Sequence, residues 1–220
     1  MVAVTRHSAT FGPAHWIPVA SRAWTKELLR SEGDSFTLLR LGRDAEFGLS
    51  GTEDDRILVL DGEIGIDGVV HGAGAYCARR GVVSSPSKCL ALVLSGERLG
   101  APADDVFSPD GWRESGPGQW FRLLLDVTFD EHFDERLVGL SYFEPGAAAP
   151  RHPHRTAHRF LFLDGEADDE LVLPDGTRQV AHRRRGDFVD YPYPIEHQLF
   201  SRTGCMNLFL HEPIPGGRVS

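Results

Sequence analysis

The sequence predicts an all-β protein, on three observations. Its apolar runs are short, the longest resembling CLALVL and LVGL, which is the length of strands. Gly and Pro are plentiful, 24 and 14 of 220 residues, and together with Asp they bound several of these runs, as turns between strands require. The chain also repeats itself: RILVLDGE, Arg56 to Glu63, aligns with RFLFLDGE, Arg159 to Glu166, with six identities in eight positions at an offset of 103. At 220 residues and 41% apolar content the chain has room for one large or two small domains with a sizeable core, and the repeat selects two.

Taken in order, residues 1–30 read as an N-terminal arm. Trp16, Ile17, Val19 and the stretch Trp24 to Leu29 are expected to pack it on one copy through a short helix. Residues 31–100 are the first copy, in which Asp61-Gly62 follows an alternating strand and supplies the positive φ of a tight hairpin turn. Residues 101–119, within a stretch rich in Gly, Pro, Asp and Ser, read as a linker. Residues 120–220 are the second copy. There Asp164-Gly165 repeats the turn signal, and Asp175-Gly176, between LVLP and TRQV, marks a further hairpin.

A net charge of −9 argues against a nucleic-acid surface, which needs a basic stripe to displace counterions, and Arg183 to Arg185 reads as a solvated hairpin edge. No stretch approaches the roughly 20 apolar residues of a membrane span, and MVAVTRHSAT lacks the apolar core of a signal peptide, so a cytoplasmic location is expected. Cys77, Cys89 and Cys205 are odd in number and lack a CxxC pair; they read as small core residues. There is no Ser-His-Asp motif, Walker loop or dinucleotide fingerprint, since Gly72-Ala-Gly74 has neither a third glycine nor a following helix.

What remains is a set of histidines. His152, His154 and His158 lie two and four residues apart, a spacing that on a strand points all three imidazoles to one face. His197 follows after a hairpin's length of chain. Neutral imidazole is the commonest protein ligand for zinc, iron, copper and nickel, so these four are the candidate metal ligands. His7, His15, His71, His132 and His182 read as surface or hydrogen-bonded residues, whereas His211, ending an apolar strand, is open between the same cavity and solvent.

At these residues the chain resembles the cupin superfamily. Gly146, His152, His154, His158 and Gly165 fall on every slot of its first motif, with His158 where the family usually has Glu. Gly186, Pro192 and His197 match the second motif in register, with Pro194 and Ser201 in place of its Gly and Asn. The resemblance implies two tandem double-stranded β-helix, or jelly-roll, barrels: a bicupin, frequently a homodimer. The W-IP-V---W-KELL opening, then TLLRL and LVLDGE, is more loosely similar to the ChrR-type cupins, without their helical sigma-binding domain. Carrying the offset of 103 back places Leu49, Gly51 and Asp55 at the positions of His152, His154 and His158, and alignment through Cys89 and Cys205 places Gly81 at that of His197. The first copy is therefore expected to bind no metal.

Four neutral imidazoles leave a divalent ion its full charge, which favours an anionic or enolizable substrate, and four ligands of six leave two open positions. The donor set suits Fe(II), Mn(II), Ni(II), Cu(II) or Zn(II). By resemblance to cupins with three or four histidines, Fe(II) is favoured and the implied activity is a non-haem dioxygenase acting on a small chelating, enolizable or phenolic substrate. A redox-neutral isomerase, lyase or decarboxylase, a zinc-binding sensor without turnover, and a storage or structural bicupin are the alternatives. Phe160, Phe162 and Leu199 share the inward face, as a substrate pocket or as plain barrel core. Tyr142, Glu144, Tyr191 and Tyr193 are candidates for orienting an imidazole or a proton, with Tyr142 and Glu144 the candidate catalytic residues.

Overall fold

The computed structural model describes residues 5–7, 10–31, 34–49, 51–52, 54–79, 81–126, 136–154, 157–173, 175–191 and 195–212, with backbone alone at 5–7 and 154. Two compact units form, residues 13–111 and residues 1–12 with 112–220. Strand β1 (Thr5–His7) belongs to the second unit.

The first unit holds β2 (Ile17–Ala20), β3 (Ala23–Arg30), β4 (Ser35–Leu41), β5 (Ala45–Gly48), β6 (Arg56–Gly62), β7 (Ile64–Ile66), β8 (Val69–His71), β9 (Tyr76–Ala78), β10 (Val82–Ser85) and β11 (Cys89–Ser95). The second continues with β12 (Arg113–Gly116), β13 (Gln119–Leu123), β14 (Leu137–Phe143), β15 (His152–His154), β16 (Ala157–Val172), β17 (Arg178–Arg184), β18 (Phe188–Tyr191) and β19 (Ile195–Glu212).

Topology extends the repeat far beyond eight residues. In the first unit the larger sheet runs β2-β3-β4-β11-β6-β9 and the smaller β5-β10-β7-β8. The second unit reproduces both orders, as β12-β13-β14-β19-β16-β18 and β15-β19-β16-β17, because the long strands β16 and β19 each do the work of two short ones. Both units are thus jelly-roll sandwiches in which an antiparallel sheet bends over on itself. Each encloses its own apolar core, around Leu39, Ile57, Val59, Ile64 and Val93 in the first and Phe121, Phe160, Phe162, Leu171 and Phe209 in the second.

Three expectations need correction. Trp24 to Leu29 is not helical: it lies in β3, which pairs with β2 and β4, so cross-strand pairing overrides the helix-forming Lys26-Glu27-Leu28-Leu29. The β2–β3 hairpin occupies the place that β12–β13 holds in the second unit, and is part of the sandwich, not an arm upon it.

Asp61-Gly62 and Asp164-Gly165 make bulges, not hairpin turns. Gly62 (φ +75°) and Gly165 (φ +71°) pair with Cys89 and Cys205, next to register shifts in β6–β11 and β16–β19. A Cβ at either would stand 1.8 Å from a carbonyl oxygen, of Lys88 or Gly204, so only glycine fits. Asp175-Gly176 does turn a hairpin: Asp175 Oδ1 accepts from the Thr177 amide at 2.9 Å, and β16 passes to β17.

The third correction concerns Arg183, which is 1% exposed where a solvated edge is expected; Arg184 and Arg185 are exposed. The bulges explain it. Before them the inward residues of β16 are His158, Phe160 and Phe162; after them they are Ala167, Asp169 and Leu171, so the phase changes and Arg183, opposite Ala167, turns inward.

Candidate metal centre

Sheet register assembles the histidines. His152 on β15 is the partner of His197 on β19, and His158 on β16 is the partner of His211 on β19. Opposed residues of antiparallel strands share a face. The bend of β16 and β19 then brings the two pairs together inside one sandwich: the His152 and His197 rings are 5.0 Å apart, His158 and His197 5.8 Å, and His158 and His211 3.8 Å. His158, His197 and His211 are buried and His152 is half-buried. The backbone of His154 pairs with Ile195, and its side chain lies outside the described residues, as do Pro192, Tyr193, Pro194 and His132.

Hydrogen bonds fix which nitrogen is basic in two of the rings. His152 Nδ1 stands 2.7 Å from the Pro150 carbonyl oxygen, which only accepts, so Nδ1 carries the proton and Nε2 the lone pair. His197 Nδ1 stands 3.1 Å from Asp169 Oδ1, with the same result. His211 Nε2 and His158 Nε2 are 2.5 Å apart.

Behind His197 lies a fully buried polar network of which the sequence reading named Tyr191 but missed Asp169 and Arg183. Asp169 Oδ2 accepts from Arg183 Nε at 2.9 Å and Nη2 at 2.8 Å, and from the Tyr191 hydroxyl. Burial pushes the Asp169 carboxyl up, but the bond and charge of His197 and the charge of Arg183 outweigh it and hold it below its ordinary value. Burial, reinforced by Asp169, holds the Tyr191 hydroxyl well above its ordinary value, as a donor. The carboxylate–imidazole contact is the arrangement that aims a metal-ligating histidine and raises its basicity.

Burial also lowers two of the imidazoles, His152 and His211. For His152 it is partly offset by the Pro150 carbonyl and assisted by His197; for His211, burial and then the neighbouring His152 and His197 bring the value down to about 3. Neutral imidazole is the form that binds a metal. All-nitrogen donors with the basic nitrogens identified at His152 and His197, and a carboxylate aiming the latter, fit a divalent ion of the first transition row. Among the described residues, which leave out the His154 side chain, no group of three or more His, Cys, Asp or Glu side chains meets the geometry of a metal site.

Comparison with solved structures places this architecture. A cupin 2 conserved barrel domain protein from Leptotrichia buccalis superposes with a TM-score of 0.61 at 14% identity, over 89% of this chain and 91% of that one. A variant of Bacillus subtilis oxalate decarboxylase gives 0.67 at 13% identity, over 97% and 78%. Lactobacillus farciminis oxalate decarboxylase, in a formate complex, gives 0.65 at 13%, over 97% and 88%. The chain has the cupin fold. No family model and no curated protein matches the sequence.

Within the second cupin barrel, Phe160 lies 4.2 Å from the His158 ring and 5.7 Å from that of His197; Phe162 and Leu199 are buried in the same core. Tyr142 and Glu144, the candidate catalytic residues, are not brought to the histidines. On β14 the core takes Leu137 and Phe143, so Tyr142 has the opposite phase, and Glu144, exposed, accepts from Trp120 Nε1 at 3.3 Å. His182 is exposed beside Asp168, and the three cysteines are buried thiols that burial pushes up to about 11 or 12, unsuited to ligation.

At the positions of these histidines the first cupin barrel carries different chemistry. The Leu49 amide donates to the Gly81 carbonyl at 3.1 Å, the contact corresponding to His152 and His197. At the position of His158, Asp55 is buried and ion-paired to Arg79 at 2.9 Å. The one sequence signal for Asp169 is the alternation Ala167-x-Asp169-x-Leu171, and it runs inward only once the Gly165 bulge, which the structure supplies, is counted. Among the described residues there is no helix long and apolar enough to cross a membrane.

Proposed function

We propose that this chain is a metal-dependent oxygenase of the cupin type, acting on a small enolizable or phenolic substrate, with His152, His154, His158 and His197 holding one divalent ion, Fe(II) by preference over Mn, Zn or Ni. The observation that carries the proposal is the buried histidine cluster with His197 aimed by Asp169. Bound there, such an ion would supply Lewis acidity and, as iron, a centre for dioxygen chemistry.

The protein's own groups define the rest. Asp169, Arg183 and Tyr191 hold His197 in one tautomer and orientation. Phe160, against two of the imidazoles, excludes water and offers an apolar face to a planar substrate. The Asp169 carboxylate is engaged by Arg183, Tyr191 and His197, and Glu144 lies elsewhere, so a substrate acidic enough to enolise or ionise by itself suits the site.

A redox-neutral decarboxylase or lyase is the second reading, favoured by the oxalate decarboxylases among the structural neighbours, one studied for its Mn(II) centres. The two are separated by elemental analysis of protein purified without chelator or His-tag, beside His152→Ala, followed by oxygen-electrode assays with diketones, phenols and oxalate. The oxygenase reading expects near-stoichiometric iron or manganese, lost in the variant, and substrate-dependent oxygen uptake. Turnover without oxygen uptake would select the second reading, and equal metal in wild type and variant would remove both.

A further inference from the structure

We propose that His211 is a further ligand of the same metal, sharing it with His158. The proposal rests on the metal-site reading above and extends it by a residue outside both cupin motifs.

The register pairs His211 with His158 on neighbouring strands, so their Cβ atoms leave the sheet on one face, into the core that also receives Phe160 and Phe209. The rings meet edge-on, 79° apart in plane, with Nε2 facing Nε2 at 2.5 Å. That is shorter than the roughly 2.7–3.2 Å of an ordinary N–H···O bond. It brings two ring nitrogens toward one point. With metal–nitrogen bonds of about 2.0–2.1 Å, adjacent ligand nitrogens in an octahedral shell stand about 3 Å apart, a small ring rotation from what is seen.

A shared proton is the competing explanation for the approach. Held as a neutral N–H···N bond, with one ring protonated at Nε2 and the other at Nδ1, it would leave both buried rings uncharged but would join this one pair alone. A divalent ion bridges the same two nitrogens and is held by the other imidazoles as well, so the cluster as a whole favours the metal. If His154 ligates too, five imidazoles leave one exchangeable octahedral position, and a chelating substrate must displace an imidazole to bind through two oxygens.

The test is Co(II) titration of the metal-free full chain, followed by calorimetry and by the visible ligand-field spectrum. It is run on wild type, His211→Ala, His211→Gln, His197→Ala and, as an exposed control, His182→Ala. Removal of an outer-sphere residue typically costs about 10–100-fold in metal affinity, so loss of a direct ligand is expected to cost more than about 100-fold and to change the spectrum. His182→Ala should match wild type. If either folded His211 variant keeps wild-type affinity and spectrum while His197→Ala loses Co(II), His211 is not a ligand and the four-histidine site stands. If wild type itself binds no Co(II), the metal-site reading fails and takes this inference with it. The glutamine variant retains a polar side chain of similar reach, so a fold lost in His211→Ala does not suspend the outcome.

Discussion

Asp169 is 0% exposed and meets three partners, so its carboxylate serves folding and site geometry together. Asp169→Asn keeps the shape but leaves the Arg183 guanidinium buried without its counter-charge, and an amide can present N–H to His197. The expected outcome is a loss of about 3–5 kcal/mol in urea unfolding and of about 10–100-fold in Co(II) affinity. Unchanged affinity in a folded variant would reduce the network to a packing role. The imidazoles add a pH dependence. Folded His211 has a value near 3, below the roughly 6.5 of the unfolded chain, so between these values the unfolded state binds the extra proton. Metal-free protein should hold this part of its stability above about pH 6.5 and lose it as pH falls toward 3, with His152 acting in the same direction. Urea midpoints at about pH 7 and about pH 5 test this: wild type should drop, and His211→Phe should drop less. His152, His154, His158 and His197 were legible in sequence because motif spacing names them, whereas His211, outside both motifs, stayed open between cavity and solvent. Asp169 and Arg183 were not, because charges within EADDE and HRRR look solvated until the sheet's phase is known.

The decisive element is the Asp-Gly bulge that each copy carries. At Gly165 an alanine would meet a positive φ and the Gly204 carbonyl oxygen at 1.8 Å; at Gly146 (φ +82°) nothing lies within 4 Å of the added carbon. Gly146→Ala should therefore cost only the left-handed backbone, about 1–2 kcal/mol. Gly165→Ala should cost clearly more, read as the larger drop in thermal midpoint; equal drops would mean the bulge relaxes freely. Strand existence was readable from alternation at RILVLDG and RFLFLDG. What alternation alone could not give is the phase beyond the glycine, and hence which face Asp169 takes. The helix expected at Trp24 to Leu29 failed for a different reason: local propensity is worth a few tenths of a kcal/mol per residue, less than pairing on both edges of β3 supplies.

At the scale of the whole molecule, two copies share one strand order and each covers the edge of its larger sheet. In the second unit β1 adds to β18, through Thr5–Asp190, Arg6–Val189 and His7–Phe188. In the first, Ala103 bridges Tyr76 with two bonds of 2.8 Å. Exposed edges invite pairing with other chains. Deleting residues 1–9 should accordingly produce concentration-dependent association in light scattering, absent in the full chain; unaltered scattering would mean that β18 is protected by other means. The duplication was legible from one octapeptide, whereas the assignment of residues 13–30 and 112–119 to the sandwiches required their hydrogen-bond partners. The Asp55–Arg79 pair has a last consequence. An ion pair is built from atoms the ribosome supplies, so the first copy closes its interior at synthesis. If the second holds the proposed metal, it must await an ion from its surroundings, and starving cells of transition metals should then leave one half of every molecule as it was and the other half incomplete.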